Sequence, residues 1–320
     1  MVNVTRDIGS QQSIYYLTER TNDPVLSAHP DYYRELYPNM LIEDVRLGVM
    51  PYRSHMKVKL TPSDLPAEAL ISNALDPESR GLGRDLSSAV SNFIRNCAAV
   101  IMAYGFAVYE IVYFEGRPNR AAHFALRLVL PRTIVHRRGR LLQYVPENIS
   151  RQLNVPQYIQ LSEENVLRFD PPAYVGQSLS GIMENLSSLS RRILPDFAME
   201  HMKGTSNVPF DSTTYLRLEK LALAESTKLI GWNARNMLSD ELLEYYLLRR
   251  QLLFEQFIIA LRDSILSSLN KGLKRVGDRL GFSTQVSIEA VRTLADTQLA
   301  LSQLEAGDIP FNDVLKPFLT

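Results

Sequence analysis

Hydrophobic residues recur at steps of three and four through residues 239–279, which is the period of an α-helix. The apolar positions of this stretch are Leu243, Tyr246, Leu247, Phe254, Phe257, Ile258, Leu261, Ile265, Leu269, Leu273 and Val276. No proline interrupts it, and glycine comes only late, at Gly272 and Gly277. A helix of this length spans on the order of 60 Å, whereas a globular helix has about 8–20 residues. One chain of this size offers few neighbours to cover such a helix, so the pattern predicts assembly with other copies.

Two helices are predicted ahead of a region of strands. The first covers residues 64–75. The second begins after Asp85, a suitable N-cap, and ends at Gly105, a suitable C-terminal stop. Its apolar stripe consists of Val90, Phe93, Ile94, Cys97, Val100 and Ile101.

Residues rich in Val, Ile, Phe and Tyr then predict strands. The predicted strands cover residues 106–114, 122–130, 133–136, 141–145 and 165–169. Residues 115–119 are typical of a turn. The sequence Arg137-Arg138-Gly139-Arg140 predicts a hairpin with glycine at its tip. Residues 106–170 are therefore predicted to form a mainly antiparallel sheet region.

The second half of the chain returns to helical patterns. The pattern predicts helices over residues 178–202, 215–230, 239–279 and 287–305, and a final short helix capped by Asn312. It also predicts a kink at Pro195, a break near Gly231 and a short β-like segment at 281–286. The fold class is therefore α+β and predominantly helical, with long helices and an antiparallel sheet region.

The chain divides by pattern into three parts. Residues 1–60, which Pro24, Pro30, Pro38 and Pro51 break at short intervals, are either an arm or peripheral segment or an ordinary irregular N-terminal region. Residues 61–175 combine helix with antiparallel sheet, and residues 176–320 are helical.

Charge and cysteine content narrow the class of protein. Lys plus Arg and Asp plus Glu both number 35, which argues against a simple nucleic-acid coat protein but not against a protein that DNA slides past. The single cysteine, Cys97, cannot form a disulfide within the chain, which favours a reducing, intracellular setting. The first residues lack the apolar core of a signal peptide. The apolar run at 97–109 is too short to span a bilayer.

Signatures of catalysis are missing from the sequence. It contains no phosphate-binding P-loop and no G-x-S-x-G nucleophile elbow, and its five histidines form no pair at ligand spacing. Cys97 lies on the apolar stripe of its helix, which is typical of a structural thiol. We therefore predict no catalytic residue, metal or cofactor, and a protein that is not an enzyme.

Two basic groups offer candidate contacts. Arg137, Arg138 and Arg140 surround the hairpin tip beside Arg132 and His136, and either touch a phosphate backbone or an acidic partner or form a solvated turn. Lys271, Lys274, Arg275 and Arg279 lie at the end of the long helix, where cations suit the helix C-terminus and could also contact DNA.

The order of these pieces resembles that of tailed-bacteriophage portal proteins, and most of all the portal-like family of Mu-type phages. The resemblance covers residues 60–320. It is carried by the helix-to-strand passage at 101–113, the strand at 128–134, the strand, glycine turn and helix at 166–181, and the C-terminal run from Phe254 through Asp296 to Ala306-Gly307-Asp308-Ile309-Pro310-Phe311-Asn312. The chain is short for this group, so a crown or part of the wing is expected to be reduced.

The resemblance implies a ring, usually of twelve subunits, at one vertex of a capsid. Double-stranded DNA would pass through it during packaging and ejection, and the ring would bind the terminase, the major capsid protein and head–tail connector or adaptor proteins. Such a ring is assembled in the host cytoplasm, becomes part of the virion, and involves no membrane and no cofactor. Residues 61–175 would be wing-like or clip-like, and residues 176–320 stem-like or channel-like.

Channel contacts cannot be transferred by position from the family. The residues that we expect to contact DNA are Lys203, in a polar loop at 203–214, with Arg137, Arg138, Arg140, Lys271, Lys274 and Arg275. Two alternatives stay open: another virion component, such as a head–tail adaptor or minor capsid protein, and a helical enzyme with an unrecognised site.

Overall fold

The computed structural model describes residues 31–51, 56–75, 85–114, 122–192 and 212–308. The predicted turn at 115–119, the kink at Pro195, Lys203 with its loop up to residue 211, and the helix from Asn312 lie outside the described residues. The fold is α+β with antiparallel sheets, as predicted.

The described elements are numbered here in chain order. Helices α1 to α9 are Leu36–Val49, Leu65–Leu75, Leu86–Tyr104, Glu147–Leu153, Ala173–Gly176, Leu179–Ser190, Ser212–Ser226, Glu244–Leu280 and Leu294–Ala306. Strands β1 to β8 are Lys57–Thr61, Ala107–Phe114, His123–Val129, Ile134–Arg137, Arg140–Tyr144, Tyr158–Gln160, Val166–Phe169 and Gln285–Glu289.

The chain forms two compact units. Among the described residues, the first comprises those within 54–170 and 264–290, and the second comprises those within 31–53, 171–263 and 291–308. The long helix α8 therefore contributes its residues up to Asp263 to the second unit and those from Ser264 to the first.

Strands of the first unit form three small antiparallel sheets rather than one region. One sheet has the order β3-β2-β7, a second has the order β4-β5-β6, and β1 pairs with β8. The first of these has a core of buried residues at Val108, Val112, Val129, Leu161 and Val166. The rings of Phe93, Tyr109 and Phe169 also pack together, with centroids 5.0–5.7 Å apart.

Helix α3 confirms the prediction made from its end signals. The Asp85 carboxylate accepts from the Ser88 amide, and Gly105 ends the helix with φ of 80°. By length and composition this described helix could cross a membrane, with a mean hydropathy of 1.2, but 67% of the apolar window is buried inside the structure. That burial is typical of a core helix.

Helix α1 corrects the expectation of a peripheral segment for its part of residues 1–60. Leu41, Ile42, Val45 and Val49 are fully buried in the second unit. Pro38 lies in the first turn of the helix, where the missing amide hydrogen costs nothing. A proline that was interpreted as a break is therefore compatible with the helix.

The long helix is confirmed, with a later start than predicted. Helix α8 has 37 residues, or about 55 Å at the usual rise. It begins at Glu244 because residues 237–242 form turns. Leu252, Phe257, Leu261, Ile265 and Leu269 on its apolar stripe are fully buried.

Other boundaries in the second half also differ from the prediction. Helix α6 is described as Leu179–Ser190, and α7 begins at Ser212 and ends at Ser226. The helix predicted over 287–305 was wrong at its start, because Gln285–Glu289 is a strand and the helix begins only at Leu294. Thr293 and Asp296 form a capping box there, and Gly307 ends the helix with φ of 75°.

The second unit is held by contacts between its helices. The Tyr37 hydroxyl of α1 donates to Glu219 of α7 at 3.0 Å, and the Tyr37 amide donates to Ser190 of α6 at 2.9 Å. Helices α8 and α9 share a core of Leu248, Leu252, Ala300 and Leu304. Trp232 is buried, and its Nε1 donates to the Asp44 carboxylate at 2.9 Å.

Candidate functional site

The β4–β5 hairpin carries three of the predicted contact residues at its tip. Strands β4 and β5 pair from Ile134↔Gln143 to Arg137↔Arg140, which confirms the predicted hairpin. Arg138 and Gly139 have φ of 52° and 73°. Positive φ at both central positions is the geometry of a type I′ turn, whose twist matches that of the flanking strands.

Arg137, Arg138 and Arg140 are all exposed, and we call them the arginine tip. Arg137 and Arg140 occupy directly opposite positions of the two strands, so their side chains leave the same face. Within the described ranges, no carboxylate forms an ion pair with any of the three. The tip is therefore a local excess of positive charge in a chain that is neutral as a whole.

Two neighbours orient the base of the tip. The guanidinium of Arg137 lies 5.9 Å from the centroid of the Tyr158 ring, a cation–π contact. The preceding residue, His136, lies with its Nε2 3.3 Å from Nη1 of Arg168. Arg168 in turn pairs with Asp170 at 2.8 Å, so this second guanidinium is neutralised.

The predicted basic neighbour Arg132 has a different environment. It is half-buried, and its Nε has no hydrogen-bond partner among the described residues. Arg132 therefore does not extend the exposed arginine tip.

The basic group on α8 is largely committed to contacts within the first unit. Nη1 of Arg275 donates to the carbonyl oxygens of Glu163 and Glu164, and its Nη2 donates to that of Val166, all at 3.0 Å. The guanidinium of Arg279 lies 4.0 Å from the centroid of the Tyr113 ring. These contacts give both arginines a structural role.

Lys271 and Lys274 are exposed on the same helix, about two turns and one turn before Asp278. The structure therefore brings Lys271, Lys274 and Arg275 together on one face of α8 and places the arginine tip on a separate hairpin of the same unit. No contact between the two groups is present among the described residues.

A buried arginine in the second unit was missed by the sequence analysis. The guanidinium of Arg250 donates to the carbonyl oxygens of Ala224 and Trp232, to Thr227 Oγ1 and to Asn233 Oδ1 at 2.6–3.0 Å. Burial lowers its pKa to about 10. Position 250 lies three residues after Leu247 and four before Phe254. The sequence therefore signals this site by a charged residue at a position where the helical period predicts an apolar one.

A second missed cluster surrounds Glu255. Its carboxylate pairs with Arg292 at 2.8 Å, while Arg262 donates to the Arg292 carbonyl oxygen at 3.1 Å. Burial raises the pKa of Glu255 to about 7, although the charge of Arg292 opposes the shift. Arg262 also occupies a position that the apolar period would fill, between Ile258 and Ile265.

Sites for metal or thiol chemistry do not emerge from the described residues. No group of three or more His, Cys, Asp or Glu side chains among them could hold a metal ion. Cys97 is fully buried, and burial raises the pKa of its thiol well above the usual value. This environment disfavours the thiolate that a nucleophile requires.

Comparison with known proteins adds no relative to these observations. Family models and curated proteins were both compared with the chain, and neither comparison gives a match.

Proposed function

We propose that this chain is the subunit of a tailed-phage portal, a ring at one capsid vertex through which double-stranded DNA enters and leaves. The observation that carries the proposal is helix α8, whose 37 residues exceed the length of either unit's other described helices. The apolar stripe of α8 is buried within the chain itself, so contacts between subunits would use exposed apolar residues such as Leu243, just before the helix, and Tyr246, in its first turn. The order of sequence motifs that resembles portal proteins supports the same interpretation.

Exposed apolar side chains support self-association. Large exposed hydrophobic residues of the second unit are Tyr33, Leu36, Leu47, Tyr174, Leu216, Leu221, Leu229, Met237, Leu243, Tyr246 and Leu299. Those of the first unit are Leu65 and Tyr158. A subunit interface would require some of these side chains to form a contiguous apolar patch.

A heterologous interface between identical copies closes into a ring when its rotation allows. In the proposed assembly, residues 61–175 form wing-like or clip-like parts, and residues 176–320 form stem-like or channel-like parts. The assembled ring binds the terminase, the major capsid protein and head–tail connector proteins, and it belongs to the virion. It supplies a conduit rather than a catalytic site.

The test is the assembly state of the purified full chain. Negative-stain electron microscopy is expected to show rings of about a dozen subunits with a central hole, and light scattering should give the corresponding mass. A monodisperse monomer at micromolar concentration would contradict the proposal. A smaller closed or open assembly without a ring would favour the head–tail adaptor or minor capsid alternative.

Two matched variants locate the interface. Leu243, just before α8, and Tyr246, in its first turn, are 72% and 52% exposed, and Leu65 of the first unit is 76% exposed. We expect Leu243→Gln with Tyr246→Gln to dissolve the ring and leave the circular dichroism spectrum of the subunit unchanged. Leu65→Gln removes an equally exposed leucine and should leave the ring intact. Loss of the ring in both variants would argue against an interface at α8.

A further inference from the structure

We infer that the arginine tip of the β4–β5 hairpin binds the backbone phosphates of double-stranded nucleic acid. The inference names the residues that contact the nucleic acid in the proposed portal, and it therefore rests on the proposed function. Phosphate binding by one hairpin is nevertheless measurable whether or not the chain forms a ring.

The hairpin has two locally destabilising features that a simple solvated turn would avoid. Arg137 and Arg140 are directly opposite in the ladder, and like charges in that position destabilise a strand pair. Arg138 has φ of 52°, a left-handed conformation that Asn, Asp or Gly adopts more readily in a type I′ turn. A hairpin that breaks two local preferences with the same residue type is the pattern expected of a binding site.

The chemistry of the tip fits phosphate. Guanidinium groups bind phosphate oxygens through paired hydrogen bonds, and they shed hydration water more readily than ammonium groups do. The side chains of Arg137 and Arg140 share one face, and that of Arg138 stands at the turn between them. The contact with the Tyr158 ring restrains the orientation of the Arg137 guanidinium, one of the three guanidinium groups at the tip.

Nucleic acid fits the surroundings better than an acidic protein. Interfaces between proteins have an apolar core with aromatic and aliphatic anchors, whereas interfaces with DNA are polar and positively charged. Tyr158 and Leu65 are the large exposed hydrophobic residues described for this unit, and the ring of Tyr158 is engaged by Arg137. The side chains at the tip end in guanidinium groups, which suit contact with the phosphate backbone of nucleic acid.

The other basic group is a weaker candidate. Arg275 donates to three carbonyl oxygens and Arg279 lies against Tyr113, so their guanidinium groups already have partners. The carboxylate of Asp278 lies exposed among them. This leaves Lys271 and Lys274 as the cations of this group that are not engaged by a described side chain.

The experiment measures duplex binding by the full chain across a range of salt concentrations. A fluorescein-labelled DNA duplex of mixed sequence serves as probe, and anisotropy gives the affinity. The test variant is R137Q/R138Q/R140Q. The matched control K57Q/K59Q/R151Q removes three exposed cations from the same unit, so both variants have the same net charge.

We expect the test variant to lose about 100-fold in affinity at moderate salt and to lower the salt slope by about two to three, because each phosphate contact contributes roughly 0.9 to that slope. The control should change both quantities little. The charge-preserving variant R137K/R138K/R140K should keep the slope and lose part of the affinity, because lysine lacks the paired donors.

Several results would overturn the inference. Absence of duplex binding by the unaltered chain, or equal losses in the test and control variants, would exclude the arginine tip as the site. Competition by poly-glutamate as strong as that by unlabelled duplex would assign the tip to an acidic protein instead. A test variant that still forms rings but no longer binds duplex supports the site, and duplex binding by a chain that forms no ring supports the site while contradicting the portal proposal.

Discussion

Glu255 of α8 and Arg292, just before α9, form an ion pair whose Oε2 and Nη1 atoms lie 2.8 Å apart in the second unit. Both side chains are largely buried, and the neighbouring charged groups are Arg262 and Asp296. Burial raises the pKa of Glu255 to about 7 even though Arg292 favours the carboxylate. The free-energy cost of desolvating the Glu255 carboxylate therefore exceeds the stabilisation that the ion pair with Arg292 gives it.

Glu255→Gln is expected to remove a pH dependence of stability. The raised pKa means that the folded protein binds the proton more tightly than the unfolded chain, whose carboxyl has a pKa near 4.5. The stabilisation is fully present below about pH 4.5 and is lost as the pH rises through about 7. At pH 8 the glutamine variant should be more stable than the unaltered chain, by on the order of 2–3 kcal/mol.

Urea unfolding followed by circular dichroism at pH 5, 6, 7 and 8 measures this difference. Glu305→Gln serves as the control, because Glu305 pairs with Arg249 at an exposed site, where an ion pair contributes little to stability. A constant difference between the Glu255→Gln variant and the unaltered chain at every pH would contradict the expected titration.

Arg250→Met is expected to destabilise the second unit strongly. Methionine keeps most of the side-chain volume but removes the guanidinium donor of four oxygen acceptors of residues 224–233, of which the Trp232 carbonyl oxygen keeps a second donor, Thr227 Oγ1. Unsatisfied buried acceptors cost about 1–3 kcal/mol each when no water replaces the donor, so we expect a loss on the order of 3 kcal/mol or more. Denaturant unfolding measures it.

The adjacent residue supplies the control for that change. Arg249 forms an exposed pair with Glu305 at 3.1 Å, so Arg249→Met should cost less than about 1 kcal/mol. Similar losses for the two variants would mean that the buried network does not anchor the 224–233 turn.

Gly272→Ala tests the close approach of α8 to strand β7 in the first unit. A Cβ at Gly272 would lie 2.5 Å from Cδ1 of Leu167, which is buried in the sheet. We expect a loss of about 1–3 kcal/mol from overpacking. Because the obstacle is a side chain, Leu167→Ala in the same chain should relieve the clash, and the double variant should be more stable than the sum of the two single losses predicts. Additive losses would indicate that the two residues do not meet.

Local signals in the sequence predicted those elements that local chemistry determines. Helix α3 was predicted at both ends because Asp85 and Gly105 act on their own helix, and the arginine hairpin was predicted because Gly139 and its flanking strands are adjacent in the chain. By contrast, β8 pairs with β1, whose residues lie far earlier in the sequence, so residues 287–289 gave no local indication of a strand.

The charged clusters were missed for a related reason. The sequence shows that Arg250 and Arg262 fall on an otherwise apolar stripe, but it does not show the carbonyl oxygens that surround them. Those acceptors belong to turns whose positions depend on tertiary packing. In the same way, the role of Arg275 follows from the backbone of residues 163–166, which no spacing in the sequence connects with α8.

Gly231→Ala is expected to disrupt the turn that joins α7 to the segment before α8. Gly231 has φ of 71°, and a Cβ there would lie 2.2 Å from the Arg250 carbonyl oxygen, an obstacle that belongs to the backbone and cannot rotate away. Left-handed strain and the clash together should cost on the order of 3 kcal/mol, measured by urea unfolding. Gly181→Ala is the opposite case, because Gly181 lies inside helix α6 with open space around its Cβ position, so alanine should stabilise by about 1 kcal/mol. If both substitutions stabilised the protein, Gly231 would not require its left-handed conformation, and the turn held by Arg250 would have a different backbone from the one described.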